Sequence, residues 1–266
     1  MLLESPIIGF PKMLSARILS SFSRKPDAPD YAGGTINTEL ATALDFLTFT
    51  VPGFLDLIKD KTVLDFGCGW GWQALAMAQK GAKSVVGIDI QDLRGARERA
   101  QQYRCADKVR FVSQLEPEML GSFDLVISCS SFEHFADPEA SLRQMTNAAR
   151  AGGQVIVSFA EPWYSPHGSH MNFFTRVPWV NVLFPEDAVM QVRSQFRKDG
   201  ARRYEEVEGG LNRMTLTKFE RIIRNSGMQM EFLKYYSVKG LPLVKHIPMI
   251  RELLVASAAC ILRKPC

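Results

Sequence analysis

The sequence predicts an α/β fold, a mostly parallel sheet with helices on both faces, interrupted by one insertion. Three observations carry this. Between residues 60 and 160, short β-branched runs alternate with helix-like stretches, the pattern of a parallel sheet covered on both sides. A glycine-rich turn, Gly67-Cys68-Gly69-Trp70-Gly71, joins the first run to the first of those helices. Residues 161–213 then break the rhythm with proline, aromatic and charged residues of no clean period.

The elements follow in order. Residues 13–22 have the pattern of a short amphipathic basic helix, read as a cap packed on the domain, with peripheral membrane contact as the open alternative. Lys25-Pro26-Asp27-Ala28-Pro29-Asp30 reads as a turn or linker. A helix is expected over 37–47. Strands are expected at Thr62–Phe66, 84–90, Val109–Val112, 123–128 and 154–159. Helices are expected over 72–80, 93–103 and 138–150, the last with Pro138 in its first turn and Gly152-Gly153 as its stop. After the insertion, which is read as a lid with a helix of its own, a helix spans 215–225 and ends at Gly227. Two strands, 228–236 and 253–262, close the chain. The expected division is a cap (1–58), a cofactor-binding half (59–160), the lid (161–213) and a C-terminal helix with two strands (214–266).

The composition is that of an ordinary globular protein: 266 residues, 46% hydrophobic and 23% charged. The net charge of +4 is scattered. This argues against nucleic acid as partner, which calls for a concentrated basic footprint. Cys68, Cys105, Cys129, Cys260 and Cys266 are odd in number and show no C-x-x-C spacing, so neither disulfides nor a zinc cluster are expected. Free thiols fit a reducing, cytoplasmic setting. The first thirty residues lack the charged and apolar regions of a leader. No stretch approaches the ~20 apolar residues of a spanning helix.

The chemistry centres on Val63-Leu64-Asp65-Phe66-Gly67-Cys68-Gly69-Trp70-Gly71-Trp72. Glycines at 67, 69 and 71 let the backbone turn tightly and approach a ligand. The next helix offers free amides and a positive dipole end to a carboxylate or phosphate. Asp89 ends the second strand, where a carboxylate can take both hydroxyls of a ribose. The alternative is a tight turn with no ligand.

The run VLDFGCGWGWQALAMAQKGAKSVVGIDI resembles the first two motifs of class I S-adenosylmethionine-dependent methyltransferases, including the acid two residues before the first glycine. Residues 123–128 resemble that family's fourth strand and 152–157 its fifth. The resemblance implies a seven-stranded, mostly parallel sheet with an antiparallel last strand, and S-adenosyl-L-methionine as cofactor. It implies that Asp65, Gly67, Cys68, Gly69 and Gly71 cradle the methionine end, that Asp89 binds the ribose and that Ile90 packs on the adenine. Gln114 is assigned to the adenine amino group, and Cys129 and Ser130 line the methyl end. Some members hold a divalent ion through Glu-x-x-Glu-His and a later histidine. Ser130 stands at the first position here, before Glu133 and His134, and no metal is expected.

A sulfonium methyl needs an acceptor held in line, and a hydroxyl acceptor gains from a base, for which histidine is suited. His170, His167 and His134 are the candidates. The first two lie just past the fifth strand and the third just past the fourth. The competing readings are an exposed loop for His167 and His170 and loop packing for His134. His246 reads as structural or exposed. Trp163, Tyr164, Phe173, Phe174, Trp179 and Phe184 fit either a ring-bearing substrate or a small core of the lid itself. The expected function is methyl transfer to a small-molecule acceptor, at a hydroxyl, without nucleic acid or stable membrane insertion. The alternatives are a nucleic-acid or protein methyltransferase and a non-catalytic cofactor-binding module.

Overall fold

The computed structural model describes residues 12–24, 39–241 and 247–266. The linker reading at 25–30, the first residues of the helix expected over 37–47, and His246 lie outside these.

Seven strands form one sheet: β1 (Thr62–Phe66), β2 (Ser84–Ile88), β3 (Val109–Val112), β4 (Phe123–Cys129), β5 (Ala149–Ala160), β6 (Gln229–Ser237) and β7 (Val255–Arg263). Their order is β3-β2-β1-β4-β5-β7-β6. The neighbouring pairs among β1 to β5 are parallel. Only β7 runs against its neighbours, β5 on one side and β6 on the other. Alternate strand residues feed opposite cores, as the two-residue repeat demands. Val63, Leu125, Ile127 and Ile156 enter one core; Leu64, Val126, Val155 and Val157 enter the other.

The first core is roofed by α2 (Asp45–Thr50), α3 (Phe54–Ile58), α4 (Trp72–Gln79) and α5 (Arg94–Gln102), through Leu47, Phe54, Ile58, Leu75 and Met77. The second lies under α6 (Pro138–Ala148) and α9 (Leu216–Asn225), through Leu142, Met145, Phe219 and Ile223. Caps fix where these last helices start: Asp137 accepts from the Ala140 amide and Thr215 from that of Lys218.

A third, smaller core belongs to the insertion. Trp163, Met171, Phe174, Val180, Val189 and Tyr204 pack together around α7 (Val180–Leu183) and α8 (Glu186–Arg193). The helix α1 (Lys12–Ser21) packs on α8 and adds Ala16 and Leu19 to this core. Of the two readings of the lid aromatics, Trp163 and Phe174 therefore follow the second: they are the insertion's own core.

Four boundaries differ from the sequence reading. The described part of 37–47 is turn until α2 begins at Asp45. The Gly152-Gly153 pair does not end a helix. α6 stops at Ala148, and β5 starts at once with a bulge, because Phe123 pairs with Ala149 while Leu125 pairs with Gln154. Leu253 and Leu254 belong to α10 (Pro248–Leu254), not to the last strand. A short apolar run does not distinguish a buried helix from a strand. The last strand therefore starts later, at Val255.

The topology sets the site. β1 lies between β2 and β4, so the connections leaving β1 and β4 diverge at the carboxyl end of the sheet. Open α/β sheets place ligands in that crevice.

Candidate active site

The turn after β1 is built from three left-handed glycines, Gly67 (φ +83°), Gly69 (φ +50°) and Gly71 (φ +80°). The Gly67 and Cys68 amides donate to the Ile88 carbonyl at 2.8 and 3.0 Å, pinning the turn to the end of β2. The three glycines differ in what they make room for. A Cβ at Gly67 would lie 2.7 Å from the Ser131 side chain, and one at Gly71 2.6 Å from the Phe111 ring. These two admit other parts of the chain. A Cβ at Gly69 would meet only the Gln91 amide, at 3.6 Å, so this glycine leaves its face open. α4 then starts at Trp72 with no side-chain cap, leaving its first amides free for an anionic group.

Two carboxylates flank the turn. Asp89 is held by it: the Gly69 amide donates to Oδ2 at 2.7 Å and the Gln91 amide to Oδ1 at 3.0 Å. A carboxylate has about four acceptor positions, so the rest of its capacity can serve a ligand. Asp65 is fully buried in β1, and neither oxygen has a hydrogen-bond partner. Burial, and next the charge of Asp89, push its pKa up to about 7; the Ala74 amide in α4 opposes this without closing to a hydrogen bond. Ile90 is 98% exposed and Trp70 57% exposed beside these acids. Apolar side chains held in water at a crevice favour a flat ligand that covers them.

The remaining residues assigned to the cofactor are distributed as follows. Cys68 and Cys129 are buried. Burial first raises both thiols, Cys129 to about 12, so neither is a nucleophile near neutrality. Ser130 sits in left-handed backbone (φ +52°), and its amide donates to the Ser158 carbonyl at 2.8 Å. Gln114 is exposed, two residues past the end of β3.

Beyond β4 the chain is anchored by Phe132, fully buried against Phe135, Phe159 and Phe219. That anchor directs the next two residues inward. Glu133 is 3% exposed, with no hydrogen bond to either carboxyl oxygen. Burial, and then the charge of Glu161, raise its pKa to about 8. Nδ1 of His134 lies 2.7 Å from the Gly210 carbonyl. A carbonyl only accepts, so Nδ1 carries the proton and Nε2 is left with its lone pair. His170 reaches the same place from the β5 side. It adopts left-handed backbone (φ +55°), and its amide closes a turn on the His167 carbonyl at 2.8 Å. The two imidazoles meet edge to face at 5.2 Å. The ligand atoms of Glu133, His134 and His170 lie within 4.8 Å of one another.

The structure thus brings His134 and His170 together from two loops, while His167 stays outside this trio. Burial lowers both imidazole pKa values, that of His170 to about 4. At neutral pH both rings are neutral lone-pair donors, and His170 is a weak base. The expectation of no metal was drawn from Ser130, yet one carboxylate and two imidazole donors converge here, a set that suits a cation. Sequence reasoning did not single out Glu161, whose charge acts on Glu133. It is half-buried directly after β5, and burial raises its pKa to about 7. The signal that could have found it is an acid in the first position past a strand of the parallel sheet.

A sequence model of the methyltransferase domain family matches residues 36–231. Among curated proteins, the ubiquinone biosynthesis O-methyltransferase of Pseudomonas paraeruginosa is 40% identical over 105 residues, 38% of this chain and 45% of that protein. The tRNA U34 carboxymethyltransferase of Actinobacillus succinogenes is 34% identical over 119 residues, 42% of this chain and 36% of that protein. The matched region thus spans less than half the length of these relatives. Among solved structures, a geranyl diphosphate methyltransferase in complex with SAM matches with a TM-score of 0.55 at 14% identity, over 93% of this chain and 94% of that one. A putative S-adenosylmethionine-dependent methyltransferase from Listeria monocytogenes matches with a TM-score of 0.55 at 19% identity, over 85% and 98%. At such identities these two show the fold.

Proposed function

The chain belongs to the methyltransferase domain family, and from that premise we propose that it moves the methyl group of S-adenosylmethionine to a hydroxyl oxygen of a small-molecule acceptor. The observation that carries the hydroxyl is the grouping of Glu133, His134 and His170 past the ends of β4 and β5. An oxygen acceptor must lose a proton, and this cluster holds neutral imidazole lone pairs and a buried carboxyl. The O-methyltransferase relatives support the oxygen. The weak net charge of +4 supports a small acceptor.

The cofactor's contribution is a methyl already activated on a sulfonium. The protein's part is to bind, orient and exclude water. Asp89, fixed by the Gly69 and Gln91 amides, takes the ribose hydroxyls. Asp65 faces the positively charged methionine end, where a cation relieves its burial. The open face of Gly69 and the uncapped start of α4 admit the methionine portion. Ile90 covers the adenine, and Gln114 is within the same rim of strand ends. Cys129 and Ser130 line the methyl side, as the two residues nearest the start of the cluster loop. The insertion 161–213 covers the acceptor.

The tRNA-directed relatives favour a second reading, a nucleic-acid acceptor. One experiment addresses both. Titration of S-adenosylmethionine by calorimetry, with methyl transfer to a hydroxyl-bearing small-molecule panel and to bulk tRNA in parallel, should show binding and transfer to the panel alone. Transfer only to tRNA overturns the small-molecule reading. Asp89→Ala should weaken cofactor binding by about 1.5–3 kcal/mol, the range for hydrogen bonds to a charged group. Unchanged affinity in that variant removes Asp89 from the ribose.

A further inference from the structure

We infer that Asn212, in the last residues of the insertion, is a positioning residue: it fixes the loop past β4 so that His134 presents Nε2 to the acceptor in a single tautomer. The inference rests on the reading of His134 as a base on the acceptor side of a methyltransferase.

The grounds are hydrogen bonds. Residues 132–134 form a turn outside the sheet, so no strand ladder serves their carbonyls, and Phe132 and Glu133 are buried. Buried carbonyls need partners. The Asn212 backbone amide donates to the Glu133 carbonyl at 3.0 Å. Its side-chain Nδ2 donates to the Phe132 and Phe135 carbonyls, each at 2.8 Å. An amide group carries two such donors, and both are spent on this loop. One residue thus serves three of the four carbonyls from Phe132 to Phe135. The Asn212 Oδ1 atom is buried with no partner, so the side chain is placed here for its donors. The partners also fix its orientation, since a flipped amide would set Oδ1 against two carbonyl oxygens.

The same short segment meets the imidazole. The Gly210 carbonyl, two residues before Asn212, lies 2.7 Å from His134 Nδ1. Gly209 (φ +79°) and Gly210 (φ +66°) are both left-handed, which turns the chain back over the ring; a Cβ at Gly209 would already lie 3.5 Å from Nδ1. Backbone and ring of His134 are therefore held by one stretch, and shifting either breaks the bond that keeps the proton on Nδ1. The stretch is itself anchored from two sides. Leu211 is buried in the third core and Met214 in the second. Lys218 Nζ, from the first turn of α9, donates to the Asn212 carbonyl at 2.8 Å, and the Trp163 amide donates to that of Met214 at 2.7 Å. Asn212 thus stands where the insertion joins the sheet domain, and acts on the chemistry through His134 without touching the cofactor turn.

The test is the imidazole ¹⁵N spectrum of the full-length chain at pH 8, with the His134 signal assigned by its loss in His134→Gln. The wild-type chain should show one neutral tautomer protonated at Nδ1. Asn212→Ala should shift that signal to a mixture of tautomers, and Asn212→Ser, which keeps one donor, to an intermediate position. Calorimetric affinity for S-adenosylmethionine should stay within about twofold in both, which also reports their folding. With a hydroxyl acceptor, kcat should fall about tenfold to a hundredfold in Asn212→Ala, the loss expected when a positioned group moves by about 1 Å, while KM for the cofactor is unchanged. A wild-type His134 signal in Asn212→Ala, or in Asn212→Ser if the alanine variant no longer binds cofactor, overturns the inference. So does a shifted signal with unchanged kcat. Failure of the underlying reading would appear separately, as full turnover in His134→Gln.

Discussion

Asp65 shows how much a single buried acid can disclose. Its pKa rises from 3.8 to about 7, through burial first and Asp89 second. The folded, ligand-free chain therefore keeps a proton between about pH 4 and pH 7 that the unfolded chain has lost. The contribution of Asp65 to stability falls as pH rises through that window and levels above it. A cationic ligand reverses the preference and expels the proton. Calorimetry at pH 6 in two buffers of different ionisation enthalpy should show release of about one proton on cofactor binding. The Asp65→Asn variant should show none, and equal release in both proteins removes Asp65 from the cofactor's charged end. Asp65 and Asp89 were readable in the sequence because each has a fixed place, one in the first strand and one at the end of the second. The histidines were readable only as a set. Which of them meet is decided by turns through Pro162, Gly168 and left-handed His170, whose geometry no local pattern specifies.

The glycine turn carries a second lesson, at the scale of one element. Its sequence suggests that every missing side chain serves a ligand. The structure divides the work, with Gly67 admitting Ser131, Gly71 admitting Phe111, and Gly69 alone left open. Substitutions should separate these roles. Gly71→Ala meets both a left-handed φ and a ring 2.6 Å away, and should destabilise the fold by about 1–3 kcal/mol in urea unfolding. Gly69→Ala has the left-handed φ but no collision, and should cost about 1 kcal/mol or less in stability while weakening cofactor binding. Equal effects on stability and binding at both positions would contradict the division. The strands and main helices were legible because β-branched runs and helical spacing are local signals. The bulge at Gly152-Gly153 was not, since a glycine pair after a helical pattern reads as a stop. α10 was not, since seven residues of mixed apolar character fit either period.

For the whole molecule, the three cores suggest two cooperative units. Two cores share the sheet, and no strand of the sheet enters the third. The insertion was not legible in detail because its apolar residues serve this separate centre, completed by Ala16 and Leu19 from more than 140 positions away. It is nevertheless tied to the site. The Gly210 carbonyl holds His134, and the Asn212 side-chain amide donates to the Phe132 and Phe135 carbonyls on either side of Glu133 and His134. Movement of the insertion would therefore pull on the cluster, which is what a cover over the acceptor requires. Leu19, fully buried in the third core, provides the test. Leu19→Ala should remove about 2–5 kcal/mol from that core. Amide exchange should quicken in α1 and across 161–213 while β1, β4 and β5 keep their protection. In the wild-type chain the same segment should slow when cofactor and acceptor are both bound. If the variant instead loses protection equally throughout the sheet, insertion and sheet unfold as one unit. If exchange across 161–213 is already as slow as in β1, β4 and β5 without ligand, the insertion is a rigid part of the domain and does not open to admit the acceptor.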